Sequence, residues 1–123
     1  MHCRLNSTHF RLDWQHSVEK TRWQEQYQMQ ADQLLLTETT LVSFGAGTPD
    51  REKVIQQQDG KVRISLQRPM KEINWVISRR MQGIIVLPDQ QWEIYRDFPD
   101  YSVVHISVKQ DPRWKTYGIK DCL

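Results

Sequence analysis

Phe10-Arg11-Leu12-Asp13-Trp14-Gln15-His16-Ser17 and Arg22-Trp23-Gln24-Glu25-Gln26-Tyr27-Gln28-Met29 are the two stretches on which the fold turns. In the first, Phe10, Leu12, Trp14 and His16 alternate with Arg11, Asp13, Gln15 and Ser17, the period of two that marks a strand with one buried face. In the second, Trp23, Glu25, Tyr27 and Met29 share one face, and Arg22, Gln24, Gln26 and Gln28 share the other. The polar connector Val18-Glu19-Lys20-Thr21 lies between them, so the pair reads as a hairpin. Bringing the two apolar faces together requires partners whose numbers add to an odd total. A sum of 39 places Phe10 by Met29, Leu12 by Tyr27, Trp14 by Glu25 and His16 by Trp23; sums of 37 and 41 satisfy the pattern equally. In each of these registers His16 and Glu25 join the aromatic face.

Outward from the hairpin the pattern stays β. After a turn at Ala31-Asp32-Gln33, the run Leu34 to Phe44 is rich in Leu, Thr and Val and carries apolar groups on both faces, as expected of a strand that is central in its sheet or bent partway. It ends at Gly45-Ala46-Gly47-Thr48-Pro49. Asp59-Gly60, which tolerates positive φ, joins Val54–Gln58 to Lys61–Leu66 as a tight hairpin, and Pro69 closes the second of those strands. Ile73, Trp75 and Ile77 alternate in another strand, Gly83–Leu87 forms a short apolar one before Pro88, and Val104, Ile106 and Val108 form the last, which turns His105 to the opposite face. Asp89 is placed to cap a short helix with Trp92 and Tyr95 one turn apart. The expectation is an all-β chain: a small antiparallel barrel or sandwich of about seven or eight strands with at most one short helix. No second domain, low-complexity segment or internal repeat breaks it, so residues 1–123 read as a single β domain.

The totals agree. At 123 residues, 38% hydrophobic and 26% charged, with five Trp, the chain has enough bulky apolar material for one core and too much for a disordered protein. The net charge is +2, and the first 50 residues carry four Lys/Arg against six Asp/Glu. Charges so dispersed make no phosphate-binding stripe, and no nucleic-acid partner is expected. No apolar run is long enough to span a bilayer, and Met1-His2-Cys3-Arg4 lacks the character of a signal peptide, so Met1 is expected to follow a removed export segment. Cys3 and Cys122 match no metal spacing. In an exported protein they are candidates for a disulfide joining the two ends, the alternative being two free thiols.

Glu25 is the most informative side chain, because a carboxylate on a face made of Trp23, Tyr27 and Met29 needs a donor. His16, a Tyr or Thr hydroxyl, a backbone group or an arginine would serve. One reading is a polar site in an aromatic pocket, the other a satisfied structural pair. Ser17 beside His16 does not make a hydrolase, since strand neighbours point to opposite faces and no Gly-x-Ser-x-Gly elbow is present. A metal site from His16, Glu19 and Glu25 would suit zinc or manganese, but no spacing demands it, and no metal and no cofactor are expected. Gly45-Ala46-Gly47 reads as a structural turn or bulge ahead of an anion loop, because no helix follows it. Trp92, Tyr95, Phe98 and Tyr101 form a second aromatic cluster, flanked by Asp89, Asp97 and Asp100, that suits a protein interface or the filling of an open barrel end. The candidate ligand-binding or functional-surface residues are therefore His16, Ser17, Glu19, Glu25, Tyr27, Gly45 and Gly47, with no catalytic residue among them.

Taken together, Phe10-x-Leu12-x-Trp14-x-His16-Ser17-Val18-Glu19-Lys20-Thr21, Glu25-x-Tyr27, Leu34 to Thr39 and Ser43-Phe44-Gly45-Ala46-Gly47 resemble the bacterial family called domain of unknown function 1850. The resemblance is carried by residues 10–49 and fades to a general run of strands beyond Asp50. It implies a small exported protein, in the periplasm or membrane-anchored through a leader absent from this chain. Its implied genetic neighbour is a TAXI-type tripartite ATP-independent periplasmic transporter for organic acids or similar solutes. The expected function is a periplasmic accessory or binding module, not an enzyme, with transporter membrane subunits or the solute-binding protein as partners. The alternative is a free-standing small-ligand or metal-binding β-barrel.

Overall fold

The hairpin forms from β1 (His9–Gln15) and β2 (Arg22–Gln30), antiparallel. The computed structural model describes residues 2–15, 21–42, 54–58, 61–108 and 120–123. Its register pairs Phe10 with Tyr27, Leu12 with Glu25 and Trp14 with Trp23. This is the sum of 37, so Glu25 lies opposite Leu12 and not Trp14. The reason is aromatic packing: Phe10 and Tyr27 stack at 5.4 Å between ring centroids, and Trp14 meets Trp23 at 6.3 Å. Neither contact follows from polarity alternation alone.

Strand β3 (Gln33–Val42) follows β2 through a two-residue connection in which Ala31 takes φ 53°. Its apolar groups fall on both faces, Leu35 pairing with Gln28 on the side opposite Leu34 and Leu36, and a bulge decides which of the later residues turn inward. The register against β2 shifts by one between Gln26 and Tyr27: Tyr27 pairs with Leu36, whereas Gln26 pairs with Glu38. Thr37 is the extra residue of a β-bulge, and its hydroxyl donates to the Gln26 carbonyl at 3.3 Å. Leu34 and Leu36 before the bulge, and Thr39 and Leu41 after it, therefore share the face of Tyr27 and Glu25. The strand is both central and bent.

β4 (Val54–Gln58) and β5 (Lys61–Met70) pair from Gln58 and Lys61 outward, as a two-residue hairpin requires, although Asp59-Gly60 lies outside the described residues. β5 does not close at Pro69. It runs to Met70, because β4 reaches only Ile64 and Pro69 pairs solely with Leu35 of β3, where a missing N–H on the open side breaks no ladder. β7 (Ile84–Val86) joins the far edge of β1, and β8 (Gln91–Trp92) joins β7. The result is a seven-stranded sheet in the order β4-β5-β3-β2-β1-β7-β8.

The chain bends at Lys71, and β6 (Glu72–Val76) pairs with β9 (Val103–Ser107) in a separate two-stranded layer. The architecture is thus an antiparallel, sandwich-like arrangement, and the barrel alternative is not realised: among the described residues β4 and β8 are the edges of the large sheet and do not pair with each other. Closure gives way to layering because β6 has its own apolar face to bury. Phe10, Leu12, Tyr27, Leu34 and Leu36 of the large sheet form one hydrophobic cluster with Ile73, Ile77, Ile85, Leu87 and Ile94. Trp75 stands edge-on to Trp14 at 6.2 Å. A Cβ on Gly83 would come within 2.9 Å of the Trp75 ring, so only glycine admits that indole here.

The helix is a single turn, α1 (Ile94–Asp97), preceded by Glu93 without a side-chain cap. Asp89 lies earlier, in the bend between β7 and β8, and Trp92 belongs to β8, so the expected Asp89-capped helix is displaced toward the C-terminus. Ile94 anchors the turn at 2% exposure. Trp92 and Phe98 pack edge to face at 6.0 Å against the core, while Tyr101 is 81% exposed. The second aromatic cluster thus divides: Trp92 and Phe98 fill the end of the sandwich, Tyr95 is half-buried with Arg96 against its ring, and Tyr101 is left in solvent.

Cys3 and Cys122 form a disulfide across 119 residues. Beside it, Arg4 N–H donates to the Lys120 carbonyl and Cys122 N–H to the Arg4 carbonyl, each at 2.9 Å. Closing so long a loop restricts the unfolded chain by about 2–5 kcal/mol. Reduction is therefore expected to lower the thermal midpoint by several degrees in calorimetry, with a Cys3→Ser/Cys122→Ser variant matching the reduced protein in the absence of reductant.

Candidate functional site

The inner face of the hairpin does not close completely against the small sheet. A groove of about 470 Å³ runs between them, with Leu12 and Tyr27 at its base, Trp14 and Trp75 along its walls, and Glu25 and Glu72 contributing carboxylates. Leu12 and Tyr27 are buried, whereas Trp14, Trp75 and Glu25 are half-buried and Glu72 is exposed. Residues 72 to 76 of β6 all line the groove, so one edge of that strand, and not only one of its faces, borders the opening.

Glu25 finds its donor two residues along its own strand. The Tyr27 hydroxyl donates to Glu25 Oε2, a contact that period-two geometry permits because both side chains leave the same face. Burial, then the hydrogen bond to Glu25 and its negative charge, push the Tyr27 phenol well above its usual range, while Arg68 acts weakly in the other direction. The two readings of Glu25 thus merge: it is a satisfied pair, and it also opens into a groove. Of the other candidates, His16, Ser17, Glu19, Gly45 and Gly47 lie outside the described residues, as does the metal set that His16 and Glu19 would complete. Among the described residues no three of His, Cys, Asp and Glu come together around a common point.

A second polar feature lies on the opposite face. Asp13, in a sequence pattern that assigns it to solvent, is 8% exposed and is the buried charged residue of the described chain. Arg11 grips it through Nε–Oδ1 at 2.7 Å and a second nitrogen to Oδ2 at 3.1 Å, and Gln24, its cross-strand partner, donates to Oδ2 at 3.4 Å. The fork satisfies the carboxylate. The spacing Arg11-x-Asp13 on one strand face was the available signal, since it places guanidinium and carboxylate side by side. Beside them Arg11, Gln26, Thr37 and Val86 border a second groove, of about 410 Å³. On the outer face of the small sheet, His105 contacts Asn74 at 2.8 Å and Glu72 at 3.4 Å.

Fold and groove together define an open antiparallel β-sandwich with a partly acidic, aromatic-walled opening between its layers. The model of the family described as Domain of unknown function (DUF1850) matches residues 10–94, more than half of the chain, and the chain belongs to that family. The match extends from β1 to the start of α1, well beyond the stretch ending at residue 49 that carries the sequence resemblance. It takes in every residue that lines the groove. No curated protein and no solved structure matches the chain.

The Tyr27–Glu25 pair has a measurable signature. Below the ordinary tyrosine value of 10.0 both folded and unfolded chains keep the Tyr27 proton; above it the unfolded chain releases the proton and the folded chain holds it. Stability is therefore expected to fall as pH rises past 10.0, and of the four tyrosines Tyr27 is expected to give its tyrosinate absorbance only on unfolding. Tyr27→Phe should lose about 1–3 kcal/mol at neutral pH, because Glu25 is left without its donor, and should flatten the alkaline loss. A Tyr27 that titrates normally in the folded protein would contradict the pairing.

Proposed function

We propose that this chain is an exported, non-enzymatic binding or accessory module of a TAXI-type tripartite ATP-independent periplasmic transport system, with the Glu25 groove as its functional surface. The observation that carries the reading is the groove itself. A carboxylate anchored by a buried tyrosine, between two half-buried tryptophans, is a recognition surface and not a filled core. The disulfide between the chain ends supports an oxidising compartment, because such bonds persist outside the cytoplasm. The family resemblance supplies the transporter neighbourhood, and membrane subunits or the solute-binding protein are the partners it implies.

A second reading, a free-standing small-ligand binder, draws on the size of the groove, which falls in the range of small-molecule sites. In that case the groove lies between the layers of a sandwich instead of inside a barrel. Co-expression with the transporter subunits and the solute-binding protein of the same genome, followed by affinity purification of this chain, separates the two. Retention of one of those named subunits, weakened by Trp75→Ala, is the expected result. Absence of all of them after chemical cross-linking in intact cells would overturn the transporter assignment and leave the free-standing binder.

A further inference from the structure

We infer that the groove between the sheets takes a small organic ammonium ion. This rests on the reading of the groove as the functional surface and adds the chemistry of what fills it.

The charge on the walls has one sign. Glu25 and Glu72 line the groove, and among the described residues no Lys, Arg or His lines it with them; His105 meets Glu72 at 3.4 Å from the outer face of the small sheet. Glu25 is incompletely used: Oε2 accepts from Tyr27, whereas Oε1 has no donor among the described residues. A half-buried carboxylate with a spare oxygen is stabilised by a cation and opposed by a second anion. A ligand of negative charge would bring a third carboxylate-like charge to a groove that two glutamates already line.

The remaining walls set what kind of cation fits. Trp14 and Trp75 stand edge to face at 6.2 Å, an arrangement in which the edge-on ring does not cover its own faces with its partner. Both indoles are half-buried and border the opening. Indole faces attract alkylammonium groups through the ring quadrupole, most strongly where water is partly excluded. Met70 and Met81 add soft, adaptable apolar surface. A bare metal ion is the poorer match, since it would ask for several close oxygen or nitrogen ligands and the described residues bring no three such groups together. A volume of about 470 Å³ has room for an alkylated ammonium with its carbon substituents against the tryptophans and its charge toward Glu25.

The test uses the oxidised full chain and four probes of matched size: tetramethylammonium, butylammonium, butyrate and butanol. Binding is read by tryptophan fluorescence and by calorimetry. The expected result is saturable binding of one or both ammonium ions, with butyrate and butanol silent at the same concentrations. Glu25→Gln, whose amide oxygen still accepts from Tyr27, should weaken the ammonium ion by about tenfold while leaving the circular dichroism spectrum intact. Glu72→Gln, at the exposed rim, should weaken it by a smaller factor and serves as the second variant if the first alters the fold. Equal binding of butyrate or butanol, or an unchanged affinity in both variants, would overturn the ammonium assignment while the groove stands as a binding site. Silence of all four probes would also overturn it, and the transporter assignment would then be decided by the co-purification alone.

Discussion

The contact between Trp14 of the large sheet and Trp75 of the small one is the constraint on which the groove depends. It fixes the spacing of the two layers at the end where Glu25 sits. Gly83 makes the contact possible, since any Cβ there would meet the Trp75 ring at 2.9 Å and drive the indole out of its place. With the indole seated, Leu12 and Ile73 close the base of the seam and the Glu25 side is left open. The groove follows from two bulky rings holding apart layers that smaller residues would have allowed to meet.

A second device bends the central strand of the large sheet and redirects its second half. The bulge at Thr37 reverses the parity of β3 partway along, so that Leu34 and Leu36 join Thr39 and Leu41 on the side of Tyr27 and Glu25. Without it, Leu41 would fall on the face opposite Leu34 and Leu36. The opposite face then accommodates the Arg11–Asp13–Gln24 arrangement, in which a bidentate guanidinium satisfies a carboxylate that the sheet has buried. The outer face also holds Glu38, which accepts from Arg63, whereas the carboxylate of the inner face, Glu25, borders the groove.

Much of the fold was legible in the sequence. Alternation placed β1, β2, β6 and β9, and Asp59-Gly60 placed the β4–β5 hairpin, because polarity at period two is a direct image of a strand with one wet face. The register was not legible. Sums of 37, 39 and 41 bury the same residues, and what selects 37 is ring stacking between Phe10 and Tyr27 and between Trp14 and Trp23. Sandwich and barrel were equally open for a related reason, since the local pattern of β6 does not say which strand it will pair with. At the site, the need of Glu25 for a donor was visible, and a Tyr hydroxyl stood among the choices. That Tyr27 supplies it depends on rotamers. Asp13 escaped notice because alternation assigns a charged residue between apolar neighbours to solvent, and its burial arises from Arg11 and Gln24 folding over it.

The small sheet seats Trp75 against Trp14 over Gly83 and so holds the groove open beside Glu25. A nuclear Overhauser spectrum of the oxidised protein tests this arrangement most directly. Strong cross-peaks are expected from the six-membered ring protons of Trp75 to the Gly83 α-protons and to the Trp14 indole. Their absence, with Trp75 instead showing cross-peaks only to β9, would mean that the two layers are not joined in this way and that no such groove exists.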